Sequence, residues 1–374
     1  MPLKPLVIEN GIIQPSFGKI KRSRLGGKYL ITAGVLTNAG LPVHQSNTTV
    51  FEKDFVRPLR INPSETKIEY IDDDVIYFSI PENHFGHALT GTLAYAYILL
   101  DSNYKNRKIV FIDKEPNNFI ITLLEFLGAD RKNIITIREY TKFRSVIVLR
   151  QSLRMYFAPI LEFIRLFRIS KEFIDTFQAI ARKFNDSQNL PNKVYFSRKH
   201  IINARYVMGE DKIERVFEKN GYSIYYPEQL PLCEQIRLVA NADFYACVQG
   251  TLEHHSLFMK DGATLIVMSR KTLPTERQVL INKLQTNIKH INIRTNVQPM
   301  GNIGGFPKII GATKRLIDFF DKNNFSYDIN ELTPTYQELF EYIDRCLVDE
   351  RKYISNYVRN KIIRLHKSFW KQLK

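Results

Sequence analysis

Short apolar stretches alternate with helical stretches through the second half of the chain, and this alternation restricts the fold more than any other feature. Strands that alternate with helices of this length are typical of βαβ units and of a mostly parallel sheet. The predicted strands are 193–198 (KVYFSR), 222–228 (YSIYYPE), 243–250 (DFYACVQG) and 263–269 (ATLIVMS), and the predicted helices between them are 210–220, 231–241 and 252–260. The sequence therefore predicts an α/β fold.

The first half of the chain has a similar alternation after a different beginning. Its first 80 residues contain short alternating segments separated by turn-forming residues, which predicts strands and loops. The following pattern predicts a helix at 86–102, a strand at 108–113, a helix at 116–128, a strand at 133–137 and a long helix at about 150–184. The polar, turn-rich segment 186–191 (DSQNLP) is the best candidate for a domain boundary.

These patterns predict two Rossmann-like domains whose parallel sheets face a cleft. The predicted domains are residues 1–186 and 187–330, and C-terminal helices follow in 331–374. Ligands of open α/β sheets bind beyond the carboxyl ends of the strands. The residues that follow each predicted strand are therefore the candidate site residues.

The charge of the chain predicts an anionic partner. Its 374 residues include 54 Lys and Arg against 38 Asp and Glu, which gives a formal charge of +16. Ten basic residues lie in 131–171 and eight in 351–374, in both cases interleaved with apolar residues. We interpret both segments as cationic amphipathic helices that meet an anionic membrane surface, with an ordinary packed helix and a solvated basic face as the alternative.

The small number of cysteines and the lack of long apolar runs indicate the compartment in which the protein works. The cysteines Cys233, Cys247 and Cys346 are too few and too scattered for a disulfide framework. We find no secretory signal pattern and no apolar run of about 18 residues or more. We expect a cytoplasmic protein, peripheral on the inner face of a membrane.

Three neighbouring strand ends in the second predicted domain carry residues that suit a nucleotide diphosphate. Gly250 and Thr251 form a strand-to-helix turn whose backbone N–H groups can receive phosphate oxygens. The guanidinium of Arg198 can grip a diphosphate, and Glu228 can accept hydrogen bonds from ribose or sugar hydroxyls. Taken alone, each residue also fits a turn, a helix cap or a surface charge, but together they describe a nucleotide pocket.

The loop after the predicted strand 74–80 holds two of the eight histidines. Asn83, His84 and His87 would face the same cleft, and an imidazole can remove a proton from a hydroxyl nucleophile at neutral pH. A capping or hydrogen-bonded structural histidine is the alternative. Glu82 precedes these residues and can orient one imidazole ring.

Asp72, Asp73 and Asp74 contain a D-x-D pattern, which holds a divalent metal in some nucleotide-sugar enzymes. The triplet precedes a predicted strand rather than following one, so a solvated turn is the better interpretation. No other carboxylate cluster or His/Cys spacing suggests a metal ligand set. The sequence therefore predicts no metal site.

These motifs and their order resemble glycosyltransferase family 61, in its bacterial capsule and lipopolysaccharide branch, over about Gly34–Ser269. Many eukaryotic members have His before the last glycine, where this chain has Gln249. The matching positions are the stretch 33–46 (AGVLTNAGLPVHQS), Gly86-His87, Arg198, Arg205, Glu210 with Gly209 in place of the family's Asn, Glu228, Leu230, Glu234, Gln235, Gly250, Thr251, His254, Leu257 and Phe258.

The resemblance implies a GT-B fold, with the nucleotide bound mainly by the second domain. It also implies inverting, metal-independent transfer from a nucleotide sugar, without a cofactor, to a glycan acceptor that we expect to be lipid-linked. Together with the strand ends, it gives a hypothesis for the candidate residues. Diphosphate binding falls to Arg198, Arg205, Gly250 and Thr251, ribose or sugar binding to Glu228, Glu234 and His254, proton abstraction to His87, and the acceptor side to His84 and Asn83.

Two other functions stay open. One is a pyruvyl or phosphoglycosyl transferase of cell-envelope glycans on a similar scaffold. The other is a nucleic-acid-binding protein, which only the charge suggests, because the chain has no recognition motif for nucleic acid. We therefore expect a nucleotide-sugar donor and a glycan acceptor as partners, and no nucleic acid.

Overall fold

The chain folds into two compact units, which we describe separately. The first contains Met1–Lys183 and Val279–Gln285, and the second contains Phe184–Gln278 and Thr286–Lys374. Both units are mixed α/β structures. The computed structural model describes residues 3–16, 19–21, 29–50, 54–157, 165–185, 189–201, 207–269, 276–285, 287–294 and 308–348.

The first unit is built around a mixed sheet with the spatial order β10-β9-β8-β11-β2-β5, in which β1 also pairs with β11. The described strands are β1 (Leu6–Glu9), β2 (Ile12–Gln14), β3 (Lys19–Lys21), β4 (Tyr29–Thr32), β5 (Gly34–Leu36), β6 (Thr48–Val50), β7 (Asp54–Arg57), β8 (Glu69–Ser79), β9 (Lys108–Ile112), β10 (Ile134–Ile137), β11 (Thr141–Val148), β12 (Leu153–Phe157) and β13 (Arg165–Ile169). The helices are α1 (Phe85–Thr90), α2 (Asn118–Phe126) and α3 (Lys171–Ala181), with 3₁₀ segments at His44–Ser46, Thr92–Leu100, Ser102–Tyr104, Arg131–Asn133 and Arg182–Phe184.

Four neighbouring strands of this sheet, β10, β9, β8 and β11, run parallel. Alternate side chains of β8 point to opposite faces of the sheet, and both faces are buried. Val75 and Tyr77 join a core with Val110 of β9, whereas the Phe78 ring packs against Tyr95, with 5.7 Å between ring centroids. This double burial is typical of parallel strands covered on both sides.

The predicted helix 86–102 is interrupted at Gly91. The chain forms α1 up to Thr90 and a 3₁₀ helix from Thr92. A Cβ atom at Gly91 would overlap the carboxylate of Glu82, which is only 4% exposed. The interruption therefore makes room for a buried acidic side chain, a feature that helical periodicity does not reveal.

The predicted long helix 150–184 is wrong, and with it the cationic amphipathic helix predicted in 131–171. β12 and β13 pair antiparallel, and among the described residues of this region only α3 is an α-helix. Arg154 lies opposite Arg168 across this strand pair. Ser152 fixes its base, since its N–H and hydroxyl both donate to the carbonyl of Ala94. The basic residues of 131–171 are thus distributed over strands, loops and helix starts instead of one helix face.

The prediction of a solvated turn at Asp72, Asp73 and Asp74 is also wrong, because all three residues lie within β8. Neighbouring strands supply basic partners for them. Arg144 contacts Asp72 at 3.3 Å and Asp74 at 3.0 Å, and Lys108 pairs with Asp73. The hydrogen bond from Arg144 holds the pKa of Asp74 well below its usual range. Ion pairing therefore accounts for an acidic run in a strand.

The second unit contains a five-stranded parallel sheet with the order β16-β14-β17-β18-β19 and a separate pair, β15-β20. Its strands are β14 (Lys193–Phe196), β15 (Val207–Met208), β16 (Ser223–Tyr225), β17 (Phe244–Val248), β18 (Thr264–Ser269), β19 (Lys289–Arg294) and β20 (Lys308–Ile309). Its helices are α4 (Glu210–Lys219), α5 (Leu232–Asn241), α6 (Glu276–Leu284, which crosses the division between the units), α7 (Lys314–Lys322), α8 (Ile329–Leu332) and α9 (Tyr336–Val348), with 3₁₀ segments at Pro227–Gln229 and Thr251–Phe258.

Both faces of this parallel sheet are buried. On β17, Tyr245 and Cys247 join one core cluster, whereas Ala246 and Val248 join another. Helices α4 and α7 contribute to the second cluster, and α5 contributes to the first. The four strands predicted in 193–269 are confirmed, and each is shorter than its predicted range. The shortening leaves polar residues at the strand ends in loops.

Helix α9 is held on the second unit by a largely buried ion pair. The ammonium of Lys212 on α4, whose side chain is 11% exposed, contacts Glu338 at 2.7 Å and also donates to the carbonyl of Thr333 at 3.2 Å. Helix α9 lies within the predicted C-terminal helical region 331–374 and contains three acidic residues and one arginine. The basic segment 351–374 lies outside the described residues. Within the described part of the chain, no helix has the length and apolarity needed to cross a membrane.

We predict that Lys212→Met destabilises the chain by about 1–3 kcal/mol, because it leaves the Glu338 carboxylate without its cation. Lys314→Met is the matched control, because Lys314 forms an exposed i,i+4 pair with Asp318, and it should cost under about 0.5 kcal/mol. Urea unfolding measures both. Equal effects of the two substitutions would contradict a special role for Lys212.

Candidate active site

The sheet of the second unit reverses its strand order between β14 and β17, where ligands of open α/β sheets bind. These strands are parallel neighbours, and Phe196 pairs in register with Cys247. The segments that follow them therefore leave the same sheet edge side by side. The first carries Arg198 and the second carries Gly250 and Thr251, so the structure brings together three residues predicted to bind a diphosphate.

A buried carboxylate fixes the backbone that carries Arg198. Glu210, in the first turn of α4, is 1% exposed, and its Oε1 accepts the backbone N–H of Arg198 at 2.9 Å. The hydroxyl of Tyr195 donates to the same oxygen at 3.3 Å. The Ser197 hydroxyl oxygen accepts the N–H of Lys199 at 3.0 Å. These bonds fix the backbone of residues 197–199, from which the side chain of Arg198 extends.

Gly209 occupies the position where the family pattern has Asn. Its φ is 80°, in the left-handed region that glycine and asparagine adopt most readily. A Cβ atom here would lie 2.6 Å from the carbonyl oxygen of Ile310, so this chain requires glycine. The residue gives the backbone its direction into α4 and thereby places Glu210.

The turn at Gly250 is closed by a second buried carboxylate. The N–H of Gly250 donates to Glu253 Oε1 at 3.1 Å, and Glu253 is 5% exposed. The N–H of Glu253 in turn donates to the carbonyl of Gly250 at 3.1 Å. The N–H of Gly250 is therefore engaged within the turn, and the phosphate contact predicted at Thr251, the first residue of the helix that follows, stays a prediction.

The turn that carries Glu228 is connected to the 3₁₀ helix Thr251–Phe258 through Gln235 and His255. The amide nitrogen of Gln235 donates to the carbonyls of Pro227 at 2.8 Å and Leu230 at 2.9 Å. Its Oε1 lies 2.9 Å from His255 Nε2. Burial lowers the pKa of His255 to about 4, so its imidazole is neutral at physiological pH.

Other residues of these segments have different surroundings. Glu228 is exposed on the 3₁₀ turn Pro227–Gln229. Glu234 lies in the first turn of α5, 3.9 Å from Arg237 of the same helix. His254 is half-buried on the 3₁₀ helix Thr251–Phe258. The predicted sugar or ribose role of these three residues stays a prediction, and Arg205 lies outside the described residues.

The first unit has a corresponding reversal of strand order at β8, which lies between β9 and β11. The loop after β8 carries Asn83 and His84, and His87 lies in α1. The rings of His84 and His87 are 5.3 Å apart between centroids, at an angle of 63°. The two imidazoles therefore lie together beyond the carboxyl end of β8.

Glu82 lies beside His87. Its Oε2 is 3.7 Å from His87 Nδ1, and its backbone N–H donates to the hydroxyl of Thr92 at 2.8 Å. The glycine at 91 allows the carboxylate to occupy this position. A buried carboxylate on the Nδ1 side favours a tautomer whose Nε2 is a proton acceptor, and it stabilises the imidazolium that forms when Nε2 takes a proton.

The side chain of Asn83 is engaged in the structure of its own loop. Its Oδ1 accepts the backbone N–H of Asn117 at 2.9 Å, and its Nδ2 donates to the carbonyl of Glu115 at 2.8 Å. Asn117 also caps α2, because its side chain accepts the N–H of Ile120. Asn83 therefore joins the loop after β8 to the start of α2, and its predicted acceptor role stays a prediction.

Sequence reasoning assigned no role to Glu210, Glu253, Gln235 or His255. Two of them, Glu210 and Gln235, match family positions, and this match was the signal that could have identified them. Glu253 and His255 follow the glycine turn directly and have no signal of their own. In the described ranges, no group of three or more His, Cys, Asp or Glu residues is placed to hold a metal ion.

Comparison with protein families agrees with this geometry. The model of the family Glycosyltransferase 61 matches residues 53–266, which is more than half of the chain. The match includes the loop after β8, the strand ends of β14 and β17, and the 3₁₀ helix that follows β17. No curated protein matches the sequence. The chain therefore belongs to glycosyltransferase family 61 and is a glycosyltransferase.

Proposed function

We propose that this enzyme transfers a sugar from a nucleotide-sugar donor, whose diphosphate binds beyond β14 and β17 of the second unit. The observation that carries the proposal is the adjacency of Arg198 to the turn at Gly250–Thr251. Each of these two segments is fixed by a buried carboxylate that accepts a backbone N–H. A guanidinium next to a helix start is a donor set suited to an anion.

The same donor set supports a metal-independent mechanism. Negative charge develops on the diphosphate as the bond to the sugar breaks, and preorganised N–H groups and a guanidinium can stabilise it. Arg198 and the first turn at Thr251 would fill this role. The D-x-D triplet supports no metal-based alternative, because Asp72, Asp73 and Asp74 are each paired with a basic side chain.

We propose His87 as the general base. Its Nε2 would remove the proton of the acceptor hydroxyl while the oxygen attacks the anomeric carbon, which inverts the configuration there. Glu82 would stabilise the resulting imidazolium. The GT-B arrangement, in which an acceptor-binding domain works with a donor-binding domain, is part of this proposal and comes from the family resemblance.

The acceptor is proposed to be a glycan of the bacterial capsule or lipopolysaccharide type, lipid-linked and presented at the cytoplasmic face of an anionic membrane. The support for an anionic partner is the net charge of +16. A second observation also supports an anionic partner. Arg154 and Arg168 lie opposite each other on β12 and β13, and like charges in this arrangement repel. An anionic group between them would relieve the repulsion.

We predict that His87→Ala lowers the turnover of sugar transfer by roughly 10²- to 10⁴-fold, because the base is lost. Nucleotide affinity should stay unchanged, since His87 belongs to the first unit. Product-nucleotide release measures turnover, and titration calorimetry measures affinity. His44→Ala, at an exposed histidine of the same unit, is the control. Turnover near that of the unaltered enzyme would remove His87 as the base.

Glu82→Gln preserves the shape of the side chain but removes its charge. A carboxylate beside an imidazole favours the protonated ring, so its loss lowers the pKa of the base. We therefore predict that the acid limb of the profile of kcat/KM against pH moves to lower pH, with a smaller loss of turnover than in His87→Ala. A profile that does not move would exclude an electrostatic role of Glu82.

Arg198→Ala should weaken binding of nucleoside diphosphates by about 10- to 100-fold, the range expected for losing hydrogen bonds between charged groups. A calorimetric panel of UDP, GDP, ADP and CDP measures the effect and identifies the preferred nucleotide. The matched control is Arg215→Ala in the same unit, where Arg215 is exposed and paired with Asp211. Unchanged affinity in Arg198→Ala would refute its phosphate role.

A further inference from the structure

Gln235 has a fixed orientation, which its contacts determine. Its nitrogen lies against two carbonyl oxygens, those of Pro227 and Leu230, and an amide oxygen in that place would be repelled by both. The amide oxygen therefore faces His255. Because that oxygen can only accept, His255 Nε2 carries the proton and donates to it over 2.9 Å.

His255 is held in place from several sides. It is 1% exposed, and its ring packs edge-on against Phe196, with 5.3 Å between centroids and an angle of 87°. In this tautomer Nδ1 carries no proton, so its distance of 3.2 Å to the carbonyl oxygen of Leu252 is a packing contact and not a hydrogen bond. Because the ring is packed in this way, it moves together with its own helix, Thr251–Phe258. The position of Gln235 therefore fixes the position of that helix.

This hydrogen bond joins two segments that carry candidate ligand residues. One is the turn Pro227–Gln229, which presents Glu228 at the end of β16. The other is the 3₁₀ helix Thr251–Phe258, which presents Thr251 and His254 at the end of β17. These strands are not neighbours, because β14 lies between them, so sheet hydrogen bonding alone does not set the distance between the two segments.

We propose that Gln235 and His255 are positioning residues, which set the Glu228 turn and the Thr251–Phe258 helix at the separation that a nucleoside diphosphate requires. The inference rests on the proposed function, since it assumes that the nucleotide binds at these strand ends. Neither side chain contacts the ligand in this proposal. They act through the two segments that they join.

The test measures a Kd for the unaltered chain and for each variant. The ligand is the nucleoside diphosphate that the unaltered chain prefers in the panel of UDP, GDP, ADP and CDP. Gln235→Leu removes the hydrogen bonds and should raise its Kd about tenfold or more, the change that corresponds to one lost hydrogen bond. His255→Gln, which keeps an N–H donor near the position of Nε2, should bind more tightly than His255→Leu. Acceptor KM should stay unchanged in all three variants.

A control separates positioning from loss of stability. Leu316→Ala creates a cavity in the core around α7 and lowers stability, and Leu316 belongs to neither of the two segments. Hydrogen exchange of residues 226–231 adds a second readout, because Gln235→Leu should deprotect this turn and Leu316→Ala should not.

The possible outcomes distinguish this inference from the proposed function. Weaker nucleotide binding in Gln235→Leu than in Leu316→Ala, with partial recovery in His255→Gln relative to His255→Leu, supports the inference. If the unaltered chain binds a nucleotide and Gln235→Leu binds it equally well, the inference is overturned and the proposed function stands. If the unaltered chain binds none of the nucleotides, both are overturned.

Discussion

The burial of both faces of the parallel sheet in the second unit is the constraint on which the candidate site depends. Because apolar clusters cover both faces, polar groups can meet a ligand where the strands end and loops begin. The reversal of strand order between β14 and β17 then leaves Arg198 and the Gly250 turn next to each other. The position of the candidate site is thus a consequence of how the core is covered.

Polar side chains hold the backbone beside three of the candidate residues. Glu210 accepts the N–H of Arg198, Glu253 accepts that of Gly250, and Gln235 donates to the turn that presents Glu228. Glu210 and Glu253 are buried, and a buried carboxylate is costly unless its hydrogen bonds are made, so these two contacts resist movement of their loops. The candidate site is therefore preorganised, which is what stabilisation of a developing charge requires.

Strand–helix alternation predicted the parallel sheet of the second unit and the residues at its strand ends, because these follow from local periodicity. The same reasoning failed at β12 and β13. Arginines among apolar residues fit a helix as well as a pair of strands, and the pairing of the two strands in the folded chain determines which of the two forms. The reasoning also failed at Asp72–Asp74, where partners come from Arg144 and Lys108 on other strands. Gly91 and Glu82, nine residues apart, meet only in the folded chain.

A crystal structure of the chain with its preferred nucleoside diphosphate tests the proposed nucleotide site most directly. We predict that the diphosphate lies against the guanidinium of Arg198 and the first turn of the helix at Thr251, with Glu210 and Glu253 still bonded to the backbone. A diphosphate bound at the strand ends of the first unit, or bound in the second unit without contact to Arg198, would contradict it.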